Sequence, residues 1–181
     1  MNQLLALSRL IDRFTAVFGK LNAALVLLMV FISAGNAIVR KVFNISSNAW
    51  LEVQWYLFAA VVMLGLAYVL QKNAHVRIDF VSSRLSQRAR TWVDIFGIVF
   101  FLFPLCIVLI KMSWPMFANA YATGEMSPHA SGLIRWPVLL LIPAGLAVFF
   151  MQGVSELIKR AAFLSGHAAR PYSEHAEAAD H

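Results

Sequence analysis

Between Ala49 and Leu70 the chain runs 22 residues with only two polar interruptions, Glu52 and Gln54, both in the first turn and a half. At about 1.5 Å of rise per residue, a helix of that length covers the roughly 30 Å hydrocarbon core of a bilayer. Backbone polar groups find no partner in lipid except one another, so such a stretch folds as a transmembrane helix. Trp55 and Tyr56 stand near its first end and Tyr68 near its second, where amphipathic rings settle at membrane interfaces. Just beyond it lies a polar–apolar alternation, His75-Val76-Arg77-Ile78-Asp79.

The rest of the sequence extends that constraint. Of 181 residues, 60% are hydrophobic and only 13% charged, about half the charge of a soluble domain. Three further apolar runs give spans at about 21–39, 92–112 and 136–157 beside the one at 49–70. We therefore expect an all-α integral membrane protein with a single four-helix domain over residues 1–164. The Ala-, His- and acid-rich segment 165–181 reads as a disordered tail. No signal-peptide cleavage is expected, because Met1–Lys20 is too long and too patterned for a signal peptide's charged region.

Two amphipathic interfacial helices are expected beside the spans. Leu4, Leu7, Ile11, Phe14 and Phe18 recur at helical steps with Arg9, Asp12 and Arg13 on the other side, a pattern suited to lying in the interface plane. A straight extension of the first span into the headgroups is the alternative. In the connection after the second span, Val81, Leu85 and Trp92 oppose Arg84 and Arg88, which predicts a second short in-plane helix. Pro104 falls inside the third span and is expected to kink it. Ser113–Arg135, with Pro115, Gly124, Pro128 and Gly132, reads as a connection.

Charge placement sets the orientation. Eleven of the 15 Lys and Arg residues fall in the two terminal segments and the middle connection. Arg40, Lys41, Lys111 and Arg135 make up the other side. Positive residues stay inside, so both termini are expected in the cytoplasm. The net charge of +6 is thus explained by topology, with no nucleic-acid partner implied.

Several chemistries lack their residues. A single cysteine, Cys106, excludes a disulfide framework and a redox pair. Haem ligation needs histidines within the spans, yet His75, His129, His167, His175 and His181 lie in connections or the tail. His75 and Asp79 alone make a weak metal pair. No phosphate loop and no nucleophile–base pair is visible, so no cofactor, metal or enzyme activity is expected. The span interiors carry almost no ionisable group, which suits a subunit or scaffold better than a conduit.

The run Asn36-Ala-Ile-Val-Arg40-Lys41-Val-Phe43, then Trp50-Leu51-Glu52, Gly65 and His75-Val-Arg77-Ile-Asp79, resembles the small permease (DctQ-like) subunit of TRAP transporters, tripartite ATP-independent periplasmic importers. That family commonly has two adjacent acids after the tryptophan; here Val53 takes the second position, so only Glu52 carries over. Gln54-Trp55-Tyr56, Asn73-x-His75, Ser127-Pro128 and Leu133-Ile-Arg135-Trp136-Pro137 are similar to a branch labelled for mannitol or chloroaromatic compounds.

The resemblance implies a bacterial inner-membrane protein partnered by a large permease subunit, a periplasmic solute-binding protein and membrane lipid. The large subunit would hold the substrate and ion sites. This chain would widen the scaffold and help dock the binding protein for sodium-driven uptake of an organic acid, binding no substrate itself. Other readings are a stand-alone homo-oligomeric transporter or channel and a membrane anchor of an enzyme complex.

Interface and structural candidates follow from placement. Ser33, Asn36 and Arg40 share one face of the first span, and a polar stripe there usually faces protein. Trp50 marks the interface. Glu52 is expected to pair with Arg40, Lys41 or Asn36, joining the first two spans. Ala59, Ala60 and Ala67 permit close approach of a partner helix. His75, Arg77 and Asp79, pointing one way from an extended segment, are expected to tether the connection to a helix end or to the large subunit.

Overall fold

The computed structural model describes residues 2–44, 48–73, 86–129 and 132–167. The described residues form five α-helices: α1 Asn2–Phe43, α2 Asn48–Gln71, α3 Gln87–Gly97, α4 Phe103–Thr123 and α5 Trp136–Leu164. A π-turn, Ile98–Leu102, joins α3 to α4 without a break, so four continuous helices are long and apolar enough to cross a membrane. No strand forms among the described residues beyond an isolated bridge between Met126 and Ile134.

The N-terminal segment extends the first span. Residues 2–43 form one unbroken helix, about 60 Å long at 1.5 Å per residue. The separate in-plane helix expected there is absent. Its amphipathic pattern also faces the other way: Ser8 and Thr15 are buried, whereas Leu4, Leu7 and Phe14 are exposed. Where lipid is the surroundings, an apolar stripe has no reason to point inward, and polar groups gain by pointing at protein.

The second predicted in-plane helix falls partly on residues outside the described set. From Ser86 onward the chain is capped, the Ser86 hydroxyl accepting from Ala89 N–H, and residues 87–97 are the opening of the third membrane helix. Pro104 is absorbed by the π-turn. Phe103 N–H reaches back to Ile98 O, and the widened turn makes room where the proline ring would crowd a carbonyl four residues earlier. The helix then runs past Met112 to Thr123 with Pro115 inside it, so the connection to α5 begins only at Gly124, left-handed at φ 63°.

α5 is the central helix. It touches α1, α2, α3, the π-turn and α4, while the α3–α4 rod rests chiefly on α5 and α1 pairs with α2. Accordingly α5 buries ten residues and α2 only Ala67. Gly145 makes the α2 contact possible, since a Cβ there would lie 2.7 Å from Met63 O. Small residues of this kind let membrane helices approach backbone to backbone. Ser165–His167, assigned to the tail, cap α5: Gly166 is left-handed at φ 76° and His167 N–H bonds Ala162 O at 2.9 Å. Residues beyond His167 lie outside the described set.

Candidate functional sites at the two ends of the bundle

At the end where α1 begins and α5 finishes, α5 presents Gln152, Ser155, Glu156, Lys159 and Arg160 along one face. α1 answers with Ser8, Asp12 and Thr15, one turn apart on its own inward face. Thr15 Oγ1 donates to Gln152 Oε1 at 2.8 Å, and Gln152 Nε2 donates to Asp12 Oδ1 at 2.9 Å and Glu156 Oε1 at 3.1 Å. The Ser8 and Ser155 hydroxyls meet at 2.8 Å, and Ser155 Oγ also lies 2.8 Å from Asp12 Oδ1.

Ion pairs complete this network. Lys159 bridges Asp12, 3.2 Å from Oδ2, and Glu156; Arg160 bridges Glu156 and Asp94 of α3, the latter at 3.1 Å. The Arg160 and Glu156 side chains are only 2% and 3% exposed. Gln71 Nε2 donates to Asp12 O at 2.7 Å, bringing in the end of α2. All four long helices are therefore tied at one level. From Trp136 to Glu156 is about 30 Å along the helix, which sets this level at the opposite membrane boundary from Trp136. Charges buried there are kept by pairing, and each loses several kcal/mol if left alone.

At the far end, Glu52 of α2 does not reach Arg40, Lys41 or Asn36. Its carboxylate accepts from Ser127 Oγ and, at 2.6 Å, from Leu133 N–H, both on the connection between α4 and α5. That connection is a small hairpin, with Ser127 N–H to Leu133 O and Arg135 N–H to Glu125 O each at 2.9 Å. Arg135 pairs with Glu125 across it, and Tyr56 Oη donates to Ile134 O at 3.2 Å. The first turn of α2 thus braces the loop. A carboxylate near a polar turn captures the nearest backbone donors, which the spacing along spans one and two did not reveal.

The remaining candidates divide. Ser33, Asn36 and Arg40 do share a face, lining with Lys41, Asn44 and Gln54 a polar groove of about 600 Å³. Trp50 is exposed and Ala60 partly so. Ala67 is fully buried within the chain's own bundle, so it packs α2 internally and is closed to a partner. His75, Arg77 and Asp79 lie outside the described residues. The sequence reading overlooked Glu156 and its neighbours, although their spacing at i, i+3, i+4, i+7 and i+8 from Gln152 marks a single helical face. Among the described residues no group of three or more His, Cys, Asp and Glu could hold a metal ion.

Residues 29–163, well over half of the chain, match the family model of tripartite ATP-independent periplasmic transporters, DctQ component. No curated protein and no solved structure matches the chain. The match begins within α1 and takes in the brace, the groove and the α5 side of the ionic network. With four helices able to span a bilayer, the chain belongs to the DctQ family, the small multi-pass inner-membrane component of tripartite ATP-independent periplasmic transporters.

Proposed function

We propose that this subunit is a static scaffold, which holds a large permease subunit, helps dock the periplasmic binding protein and takes no part in moving the solute itself. One observation carries the reading: the five acids among the described residues all have partners within the chain. Asp12, Asp94 and Glu156 are locked to Lys159 and Arg160, Glu125 to Arg135, and Glu52 to the hairpin. Groups spent on fixing helices to one another suit a rigid body better than an ion relay. The complex then uses an ion gradient, sodium by family resemblance, to import an organic acid, with both termini of this subunit in the cytoplasm.

Two measurements test it. Liposomes holding this chain alone should show no sodium-driven organic-acid uptake, while those that also hold the large subunit, supplied with binding protein, should; uptake by the chain alone overturns the scaffold. A reporter active only in the cytoplasm, fused at Gly124, should be silent, and activity there reverses the orientation.

A further inference from the structure

The groove at the far end of α1 and α2 contrasts with the rest of the chain. Arg40 and Lys41 lie in it with no acid partner among the described residues, since Glu52, the nearest acid in sequence, is held by the hairpin. Ser33, Asn36 and Gln54 line it too, with no side-chain hydrogen bond among those residues. Cations on the side that positive-inside placement leaves sparse, together with unbonded amides, call for a counterpart from outside the chain.

The depth of these groups identifies that counterpart. Arg40 and Lys41 stand within a turn of the end of α1, level with headgroups, where a lipid phosphate could meet them. Ser33 is seven residues deeper than Arg40, about 10 Å into the hydrocarbon. A phosphate does not follow them there, and acyl chains offer no hydrogen bond. A helix lying along α1 meets both levels. We propose that the groove seats a transmembrane helix of the large membrane subunit, presenting a carboxylate level with Arg40 and a hydrogen-bonding side chain about two turns deeper, opposite Ser33 and Asn36. This rests on the reading of the chain as a scaffold subunit and names the face it uses.

The test is photocrosslinking in membranes that contain the large subunit. Benzoylphenylalanine at position 37, an exposed groove residue, should give an adduct with the mass of the large subunit; at position 101, exposed on the π-turn, it should give none. Asn36→Leu should weaken co-purification of the large subunit about tenfold, because it removes interhelical hydrogen bonding while suiting lipid better. An adduct with phospholipid only, an adduct at the mass of two copies of this chain, or a large-subunit adduct from position 101 alone each overturns the groove assignment. So does an unchanged complex in Asn36→Leu. If the unaltered chain fails to co-purify with the large subunit at all, the scaffold reading itself falls, and the two failures are thereby distinguished.

Discussion

The two halves of α1 carry similar residues and use them in opposite ways. In the half nearer the N-terminus, Ser8, Asp12 and Thr15 turn inward and are bonded to α5, and Asn22 Nδ2 donates to Val61 O of α2 at 2.9 Å. In the other half, Ser33, Asn36 and Arg40 open onto the groove, while Phe31, Ile38, Val42 and Phe43 are exposed. Polar groups in the first half therefore mark contacts already made inside this chain, and those in the second half face a groove that we propose a partner fills. A stripe of leucines says nothing about which side is inside, because lipid receives it as well as a core does.

The largest expected effect breaks that comparison at its most buried charge. Arg160→Leu removes the cation that bridges Asp94 and Glu156, leaving Lys159 to hold Glu156, whose side chain is 3% exposed, and should cost about 3–5 kcal/mol of stability. Arg40→Leu, in the open groove, should leave the thermal midpoint of the same chain in detergent unmoved. A loss of similar size from Arg40→Leu would show that the second half of α1 also depends on partners within the chain.

A packing pair sharpens the same contrast. A Cβ on Gly19 would come 2.4 Å from the Tyr68 ring, whereas one on Gly35 meets nothing within 4 Å. Gly19→Ala should cost about 1–3 kcal/mol through displacement of the ring, and Gly35→Ala should be neutral or stabilise by up to about 1 kcal/mol through helix propensity. Unfolding in detergent measures both. A destabilised Gly35→Ala would mean that the second half of α1 has an internal neighbour.

How far the sequence exposes these features follows from the same physics. The four spans are legible because some twenty apolar residues have few alternatives as a fold. Gly124 and Pro115 both read as turn formers, but only Gly124 ends a helix, as a left-handed cap; Pro115 lies inside α4, since a packed membrane helix tolerates a missing donor. Asp12 and Glu156 stand 144 residues apart, and only the tertiary fold brings them onto one lysine. Glu52, expected to join the first two spans through Arg40, Lys41 or Asn36, instead accepts from Ser127 and from Leu133 N–H, donors 75 and 81 residues away that only the tertiary fold brings to it.

Glu52 also supplies the next perturbation, outside α1. In Glu52→Gln the side chain keeps an acceptor for Leu133 N–H but loses the charge-assisted bond to Ser127. The loss is local, so limited proteolysis within residues 124–135 should speed up while the midpoint of the whole chain moves little. A large global loss would place the hairpin within the cooperative core.

The smallest effect isolates a single hydrogen bond. Thr15→Val keeps the shape of the side chain and removes only the donor to Gln152 Oε1. Interhelical hydrogen bonds in membranes average about 0.6 kcal/mol, because the separated helices also find partners. Gln152 retains Asp12 and Glu156 as acceptors for its amide nitrogen, so the network should relax around the gap without losing its ion pairs. Ser33→Ala, its counterpart in the second half, removes a hydroxyl with no partner among the described residues and should leave the isolated subunit unchanged. The two should exchange rank in the assembled complex: Thr15→Val affects stability and leaves partner affinity alone, while Ser33→Ala weakens the partner by a few-fold and leaves stability alone. A double titration of midpoint and partner affinity on both variants reads this crossing directly, and parallel changes in both would dissolve the distinction between the halves of α1.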